Sequence, residues 1–270
     1  MSTRPRRRAA FLLSALLLAA STTAGTAAHA APVRPGGYVA LGDSYSSGLG
    51  ARSYDSGSGE CRRSARAYPA LWADAHRDRT FAFTACSGAT TKDVAEGQLA
   101  PLDGRTALVS VTAGANDAGF AEVMTTCVLS GDQGCVRRID TARKYIEGPL
   151  AKDLDRMYDA IRGHAPAARV VVLGYPHLFT VPGGCAGGLS DTKRAAVNAA
   201  VDAVDKVTAE RAARHGFVFA DVRNRFAGHG ICGSAPWIRS ITFPVDESYH
   251  PDATGQGKGY FPEFTATARP

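Results

Sequence analysis

After residue 30, the sequence contains no apolar run long enough to cross a membrane, and it shows no linker, internal repeat or low-complexity tract. Disordered, collagen-like and coiled-coil classes are excluded, because the chain is 45% apolar and 21% charged, which is ordinary globular composition. Acidic residues are missing from the first 30 positions, which hold Arg4, Arg6, Arg7 and Arg8. Without these four arginines, 27 of the 31 basic residues remain, against 25 acidic residues. This near balance predicts no general affinity for nucleic acid or anionic membrane.

The first 30 residues have the three parts of a secretory signal peptide. A basic stretch ends at Arg8, an apolar run covers 9–20, and Ala28-His29-Ala30 has the Ala-x-Ala form of a cleavage site. The apolar run is too short for a membrane helix, which needs about 20 residues. We therefore expect residues 1–30 to be removed on export and residues 31–270 to form a single domain without a membrane anchor. The sequence leaves the general secretory and twin-arginine routes open.

The cysteines lack the Cys-x-x-Cys pairs and the nearby histidine clusters that mark zinc or redox sites. Export places them in an oxidising environment, where an even number of cysteines indicates disulfides. Their spacing alone does not choose among the possible pairings. The six residues are Cys61, Cys86, Cys127, Cys135, Cys185 and Cys232. We expect them to be structural, with no bound metal.

Apolar runs of strand length alternate with helical segments along the chain. The runs cover 38–41, 81–83, 107–111, 170–173 and 217–220. Near-continuous apolar runs of this kind are typical of buried parallel strands. Between them, apolar residues at helical spacing predict one helix over 146–161 and another over 197–207, with Gly216 beyond its end. The alternation predicts an α/β fold whose parallel sheet has helices on both faces.

Small and polar residues lie where a parallel α/β sheet carries its functional site, in the loops that follow the strands. These residues include Gly42-Asp43-Ser44, Gly88 and Asn116, and His250 lies near the C-terminus. A serine hydroxyl needs a base within hydrogen-bond reach to attack a carbonyl, and histidine suits that role. The backbone N–H groups of Ser44 and Gly88 and the side-chain NH₂ of Asn116 can stabilise the resulting oxyanion. The pattern predicts acyl transfer without metal or cofactor, with Asp43 bracing the nucleophile loop.

In their order along the chain, Ser44, Gly88, Asn116 and His250 match the four motif blocks of the GDSL or SGNH hydrolases. The stretch after the signal peptide resembles the secreted Streptomyces-type lipase, esterase and phospholipase branch of that family. The resemblance implies a flavodoxin-like three-layer fold with five parallel strands, a serine nucleophile, a histidine base and an oxyanion hole completed by Gly and Asn. It also implies disulfides between neighbours, which are Cys61–Cys86, Cys127–Cys135 and Cys185–Cys232.

The last motif block departs from the family's Asp-x-x-His pattern, because Glu247 stands three positions before His250 and Asp246 precedes it. We expect Glu247 to orient the imidazole of His250, as the acid of a catalytic triad does. The alternative is a backbone carbonyl of this loop, which would leave a Ser–His dyad.

These observations predict a secreted, monomeric serine ester hydrolase that cleaves fatty-acyl esters of lipids. Phospholipase A, carbohydrate acetyl esterase and thioesterase are alternatives within the enzyme class. A disulfide-braced binding domain without catalysis is the alternative outside it, although positions 44, 88, 116 and 250 all carry the motif residues. Acyl-chain and head-group preference depends on the shapes of loops that we expect around 45–68, 118–140 and 176–190, and these shapes do not follow from spacing.

Overall fold

The computed structural model describes residues 1–2, 36–184 and 188–269. Its five strands form one sheet in the order β2-β1-β3-β4-β5, and every neighbouring pair is parallel. The strands are β1 Gly37–Gly42, β2 Phe81–Phe83, β3 Thr106–Thr112, β4 Arg169–Leu173 and β5 Val218–Ala220. The predicted α/β fold with a parallel five-stranded sheet is confirmed. Residues 3–30 of the predicted signal peptide lie outside the described residues.

Eight α-helices are found in the described residues. They are α1 Ser44–Ser47, α2 Tyr68–Ala75, α3 Thr91–Gly97, α4 Phe120–Leu129, α5 Asp132–Ile146, α6 Leu150–His164, α7 Asp191–Arg214 and α8 Phe261–Thr267. Helices α2 and α8 pack against each other, and α3, α5, α6 and α7 form a second packed group. In the first group, the Tyr38 ring of β1 lies against Trp72 of α2 and Phe264 of α8. Helices therefore sandwich the buried sheet, as a three-layer fold requires.

The predicted helix over 146–161 is wrong at its N-terminal end. Ile146 is the last residue of α5, and α6 begins only at Leu150. Pro149 stands directly before α6, where its missing N–H costs nothing, whereas inside a continuous helix it would remove a hydrogen bond. The helix predicted over 197–207 is confirmed as part of α7, and Gly216 adopts the left-handed φ of +67° beyond its end.

The loop expected around 118–140 is wrong, because this segment contains α4 and more than half of α5. The disulfide Cys127–Cys135 joins these two helices. The second disulfide present, Cys61–Cys86, ties a 3₁₀ turn, Ser56–Cys61, to the loop after β2. Cys185 lies outside the described residues, so its pairing with Cys232 stays a prediction. Among the described residues, no helix has the length and apolarity needed to span a membrane.

Candidate active site

The nucleophile loop leaves the C-terminal end of β1 and immediately starts a short helix at Ser44. Gly42 has a φ of +121°, and a side chain there would bring its Cβ within 2.5 Å of the Thr112 carbonyl oxygen. Glycine is therefore required at the turn. The Asp43 carboxylate caps α1 by accepting the Tyr45 N–H at 2.9 Å. The strand end and the cap together fix the direction of the Ser44 side chain.

His250 lies beside Ser44. Its Nε2 is 2.8 Å from Ser44 Oγ, and its Nδ1 is 2.9 Å from the Ser248 carbonyl oxygen. A carbonyl oxygen only accepts, so Nδ1 carries the proton and Nε2 presents a lone pair to the serine hydroxyl. The Tyr249 φ of +65° turns the backbone so that the Ser248 carbonyl points back at the ring. Burial lowers the pKa of His250 to about 4, against the raising effect of that carbonyl, so the ring is neutral at pH 7.

The expected contact between Glu247 and His250 is wrong. Glu247 is buried, but its carboxylate accepts a 2.9 Å hydrogen bond from Tyr54 and lies 3.4 Å from Arg52 Nε and 3.6 Å from Arg239 Nε. A buried carboxylate needs such partners, because burial without them carries a large desolvation cost. Glu247 therefore belongs to a neighbouring ionic cluster, and the Ser248 carbonyl occupies the position expected for it at the imidazole.

The loops that carry Gly88 and Asn116 lie next to the nucleophile loop. The Cys86 N–H donates to the Gly42 carbonyl at 2.9 Å, and Asn116 Nδ2 donates to the Ala89 carbonyl at 3.0 Å. One amide hydrogen of Asn116 is thereby used and the other is left over. In the described part of the chain, the N–H groups of Ser44 and Gly88 have no acceptor. The arrangement offers unused donors beside a serine, as stabilisation of an oxyanion requires.

The Gly88 loop is open where a side chain would point. Gly88 has a φ of +80°, and no atom outside its immediate neighbours lies within 4 Å of the position of a Cβ. The glycine thus leaves its N–H accessible at a left-handed turn that other residues adopt only with strain. The residue after Asn116, Asp117, accepts hydrogen bonds from the backbone N–H and the hydroxyl of Thr91. This contact holds the Asn116 loop against the start of α3.

This geometry agrees with comparisons of the whole chain. The profile of the GDSL-like Lipase/Acylhydrolase family matches residues 40–258. The chain belongs to this family. It is 57% identical to a lipase from Streptomyces rimosus over 258 residues, which cover 95% of this chain and 96% of that one. As a member of the family it is an ester hydrolase.

Two solved structures share the fold of this GDSL-family hydrolase at high identity. The extracellular lipase from Streptomyces rimosus superposes with a TM-score of 0.85 at 58% identity, covering 86% of this chain and 99% of that chain. Phospholipase A1 from Streptomyces albidoflavus NA297 also superposes with a TM-score of 0.85, at 51% identity, covering 87% of this chain and 100% of that chain.

A small apolar cavity of about 60 Å³ lies near Ser44 and His250 of this GDSL-family hydrolase. The Tyr45 ring, which lines the cavity, is 5.2 Å from the imidazole of His250, and that of Phe120 is 6.2 Å from it. The other walls come mainly from α4, α5 and α7, with Met124, Ala142, Ile146, Val197, Ala200, Val201 and Val204. The sequence did not reveal this cavity, because α4 and α5 were interpreted as a loop.

Sequence reasoning also missed a buried support beneath the nucleophile loop. The Tyr175 hydroxyl donates to Asp43 Oδ2 at 2.5 Å, and the Thr112 hydroxyl donates to Oδ1 at 2.6 Å. The Tyr175 N–H in turn donates to Asp205 of α7 at 2.9 Å. Burial raises the pKa of Asp43 to about 6 and that of Asp205 to about 8. Asp43 is therefore held by Thr112 of β3 and by Tyr175 after β4, and Tyr175 is held in turn by α7.

Two other histidines, His177 and His229, have different surroundings. His177 Nε2 contacts Asp202 at 2.8 Å, and the ring of His229 stacks on Trp237. Within the described residues, no group of three or more His, Cys, Asp or Glu side chains is placed to hold a metal ion.

Proposed function

We propose that this chain is a secreted serine ester hydrolase that cleaves fatty-acyl esters of lipids through an acyl-enzyme on Ser44. The observation that carries the proposal is the 2.8 Å contact between Ser44 Oγ and Nε2 of a neutral, oriented His250. In the first step, the Ser44 proton moves to Nε2 while Oγ bonds to the ester carbonyl carbon. The imidazolium then gives that proton to the departing alcohol.

The N–H groups of Ser44 and Gly88 and the side chain of Asn116 would bind the carbonyl oxygen as it becomes negative. Donors fixed in advance stabilise this charge more than water does, because they need not reorient. In the second half of the reaction, His250 would take a proton from water as the water oxygen bonds to the acyl carbon. The imidazolium would then return this proton to Ser44 Oγ as the bond between Oγ and the acyl carbon breaks and the fatty acid leaves. In this scheme the Ser248 carbonyl, and not Glu247, orients the imidazole.

The apolar cavity supports a fatty-acyl substrate, because its walls offer almost only hydrocarbon beside the serine. The similarity to an extracellular lipase supports the same substrate class and secretion, with residues 1–30 as the signal peptide and 31–270 as one domain. The similarity to phospholipase A1 supports a second candidate, hydrolysis of glycerophospholipids. We also propose that the mature hydrolase is a monomer and binds no nucleic acid.

Mutation of the catalytic pair tests the mechanism. Ser44→Ala and His250→Ala should each abolish hydrolysis of a p-nitrophenyl ester in folded, secreted protein, since both act as one unit. Ser47→Ala is the matched control, because Ser47 lies on the same helix and its hydroxyl reaches only the Ser44 carbonyl, at 3.2 Å. More than a few per cent of activity in the Ser44 variant would contradict the assignment. A phosphonate that labels Ser44 but not the His250 variant would separate an enzyme from a binding domain.

Asn116→Ala tests the oxyanion donors. Turnover should fall by roughly two to three orders of magnitude with little change in KM, because the lost contact exists mainly in the transition state. A change confined to KM would instead make Asn116 a substrate-binding residue.

Rates on triacylglycerols and phosphatidylcholine, compared at equal interfacial area, distinguish the two candidate lipid substrates.

A further inference from the structure

The large apolar side chains exposed in this structure are concentrated in two neighbouring segments. Of the eight found in the described residues, five lie at the end of α4 or in the loop before His250. We call these five the apolar rim: Val128, Leu129, Ile241, Phe243 and Val245. Leu129 and Phe243 are 80% and 81% exposed, respectively. A cluster of exposed apolar side chains is unusual in a soluble monomer and marks an interaction surface.

The apolar rim borders the entrance to the catalytic site. Both segments line a groove of about 340 Å³, to which α4 contributes Val128 and Leu129 and the loop before His250 contributes Ile241 and Val245. Phe120 and Met124 line both this groove and the apolar cavity. The groove also reaches Ser248, whose carbonyl contacts His250. The groove and the cavity are therefore neighbours that share Phe120 and Met124.

The charges of the groove exclude an ionic partner. Of the described residues that line it, Asp246 alone is charged, and its carboxylate is neutralised by Arg62 at 3.3 Å. Binding to an anionic surface requires a basic cluster at the contact, which this groove lacks. The partner that fits the rim is the surface of aggregated lipid, where an apolar interior lies behind neutral or zwitterionic head groups.

We propose that the apolar rim inserts into the surface of aggregated neutral or zwitterionic lipid and holds the mouth of the cavity against it. This proposal rests on the proposed function, because it assumes that the substrate is a lipid ester. An acyl chain then moves from the lipid phase through the groove into the cavity without crossing water. Exposed side chains inserted in this way add binding free energy in proportion to the apolar area that leaves water.

Partition between buffer and phosphatidylcholine vesicles tests the proposal. All proteins carry Ser44→Ala, so that the vesicles stay intact. The parent should sediment with the vesicles, and Leu129→Ser/Phe243→Ser should reduce its partition coefficient at least about tenfold. Val181→Ser is the matched control, since Val181 is an exposed apolar residue that lines neither groove nor cavity, and it should partition like the parent. Ile241→Ser/Val245→Ser is a second variant should the first not fold.

Activity measurements on proteins that retain Ser44 separate this proposal from the proposed function. With the rim altered, the ratio of activity on vesicles to activity on a soluble short-chain ester should fall about tenfold, as the partition does. Unchanged partition would overturn the role of the rim. Binding that needs anionic lipid and disappears at high salt would overturn it as well, and so would a dimer that the rim variants convert to monomers. Absence of hydrolysis of the soluble ester by the parent would instead refute the proposed function.

Discussion

Replacement of Glu247 by glutamine separates orientation of the imidazole from stabilisation of the fold. The change keeps the shape of the side chain and removes its charge. Because Nδ1 of His250 donates to the Ser248 carbonyl at 2.9 Å, the tautomer and the position of the ring do not depend on this carboxylate. We expect turnover on a soluble ester to fall less than about tenfold, which corresponds to about 1.4 kcal/mol of barrier.

The larger effect of Glu247→Gln should be on the free energy of unfolding. The Tyr54 hydroxyl can still donate to an amide oxygen, but Arg239 and Arg52 lose a negative partner at 3.6 and 3.4 Å. Hydrogen bonds to a charged group are worth about 1 kcal/mol more than neutral ones, and the exposure of Arg52 reduces its share. The expected loss of stability is therefore about 1 to 2 kcal/mol.

The assay combines urea unfolding with the pH dependence of kcat/KM for the parent and the variant. Asp246→Asn is the matched control, since Asp246 is the adjacent acid and pairs with Arg62 at the surface; it should change stability by less than about 1 kcal/mol. The acid limb should move only slightly in the Glu247 variant, because burial, and not the charge of Glu247, has the largest effect on the pKa of His250. A loss of turnover of about 10⁴-fold, typical when a triad acid is removed, would refute the reasoning.

Three further perturbations test other parts of the site. Tyr175→Phe removes a donor to the buried Asp43 carboxylate, so urea unfolding should show a loss of about 1 to 3 kcal/mol, and turnover should fall with KM little changed. Unchanged stability and unchanged turnover would contradict the proposed support. Replacing both cysteines of Cys61–Cys86 by serine, which opens a loop of 25 residues, should lower the free energy of unfolding by about 3.5 kcal/mol. The same change at Cys127–Cys135, where the loop has 8 residues, should lower it by about 2.5 kcal/mol, and equal losses would contradict this dependence on loop length. The acid limb of kcat/KM should lie near pH 4, since burial lowers the pKa of His250 to about 4; a limb near 6.5, its ordinary pKa, would show that the ring is hydrated in the working enzyme.

The positions of the central site residues could be predicted from the sequence because parallel strands all end at one edge. Ser44 and Asn116 follow β1 and β3, which pair directly, so their loops must meet. Each strand was marked by an apolar run, and each loop by glycine or a polar residue. The structure accordingly brings Ser44 to His250 and the loop of Asn116 to that of Gly88.

Contacts made by the backbone or between distant residues could not be predicted in this way. The acceptor for His250 is a main-chain carbonyl, which every residue has, and its direction depends on the φ of Tyr249. Tyr175 and Asp43 are 132 residues apart, and no spacing rule relates them. By contrast, α5 did carry a signal, because Cys135, Ile139, Ala142 and Ile146 recur at helical spacing and are all buried.

His250 and the Asp43 carboxyl beneath Ser44 change the stability of the fold in opposite directions as the pH falls. His250 has a pKa of about 4 in the folded protein, below its ordinary 6.5, so the unfolded chain takes up its proton first and stability falls as pH drops through this window. Asp43 has a pKa raised to about 6 from 3.8, so the folded protein takes up that proton first and gains stability between pH 6 and 3.8. The two effects offset each other between about pH 4 and 6. The stability that the fold loses by burying His250 in its neutral form is therefore offset, in mild acid, by the protonation of Asp43 beneath Ser44.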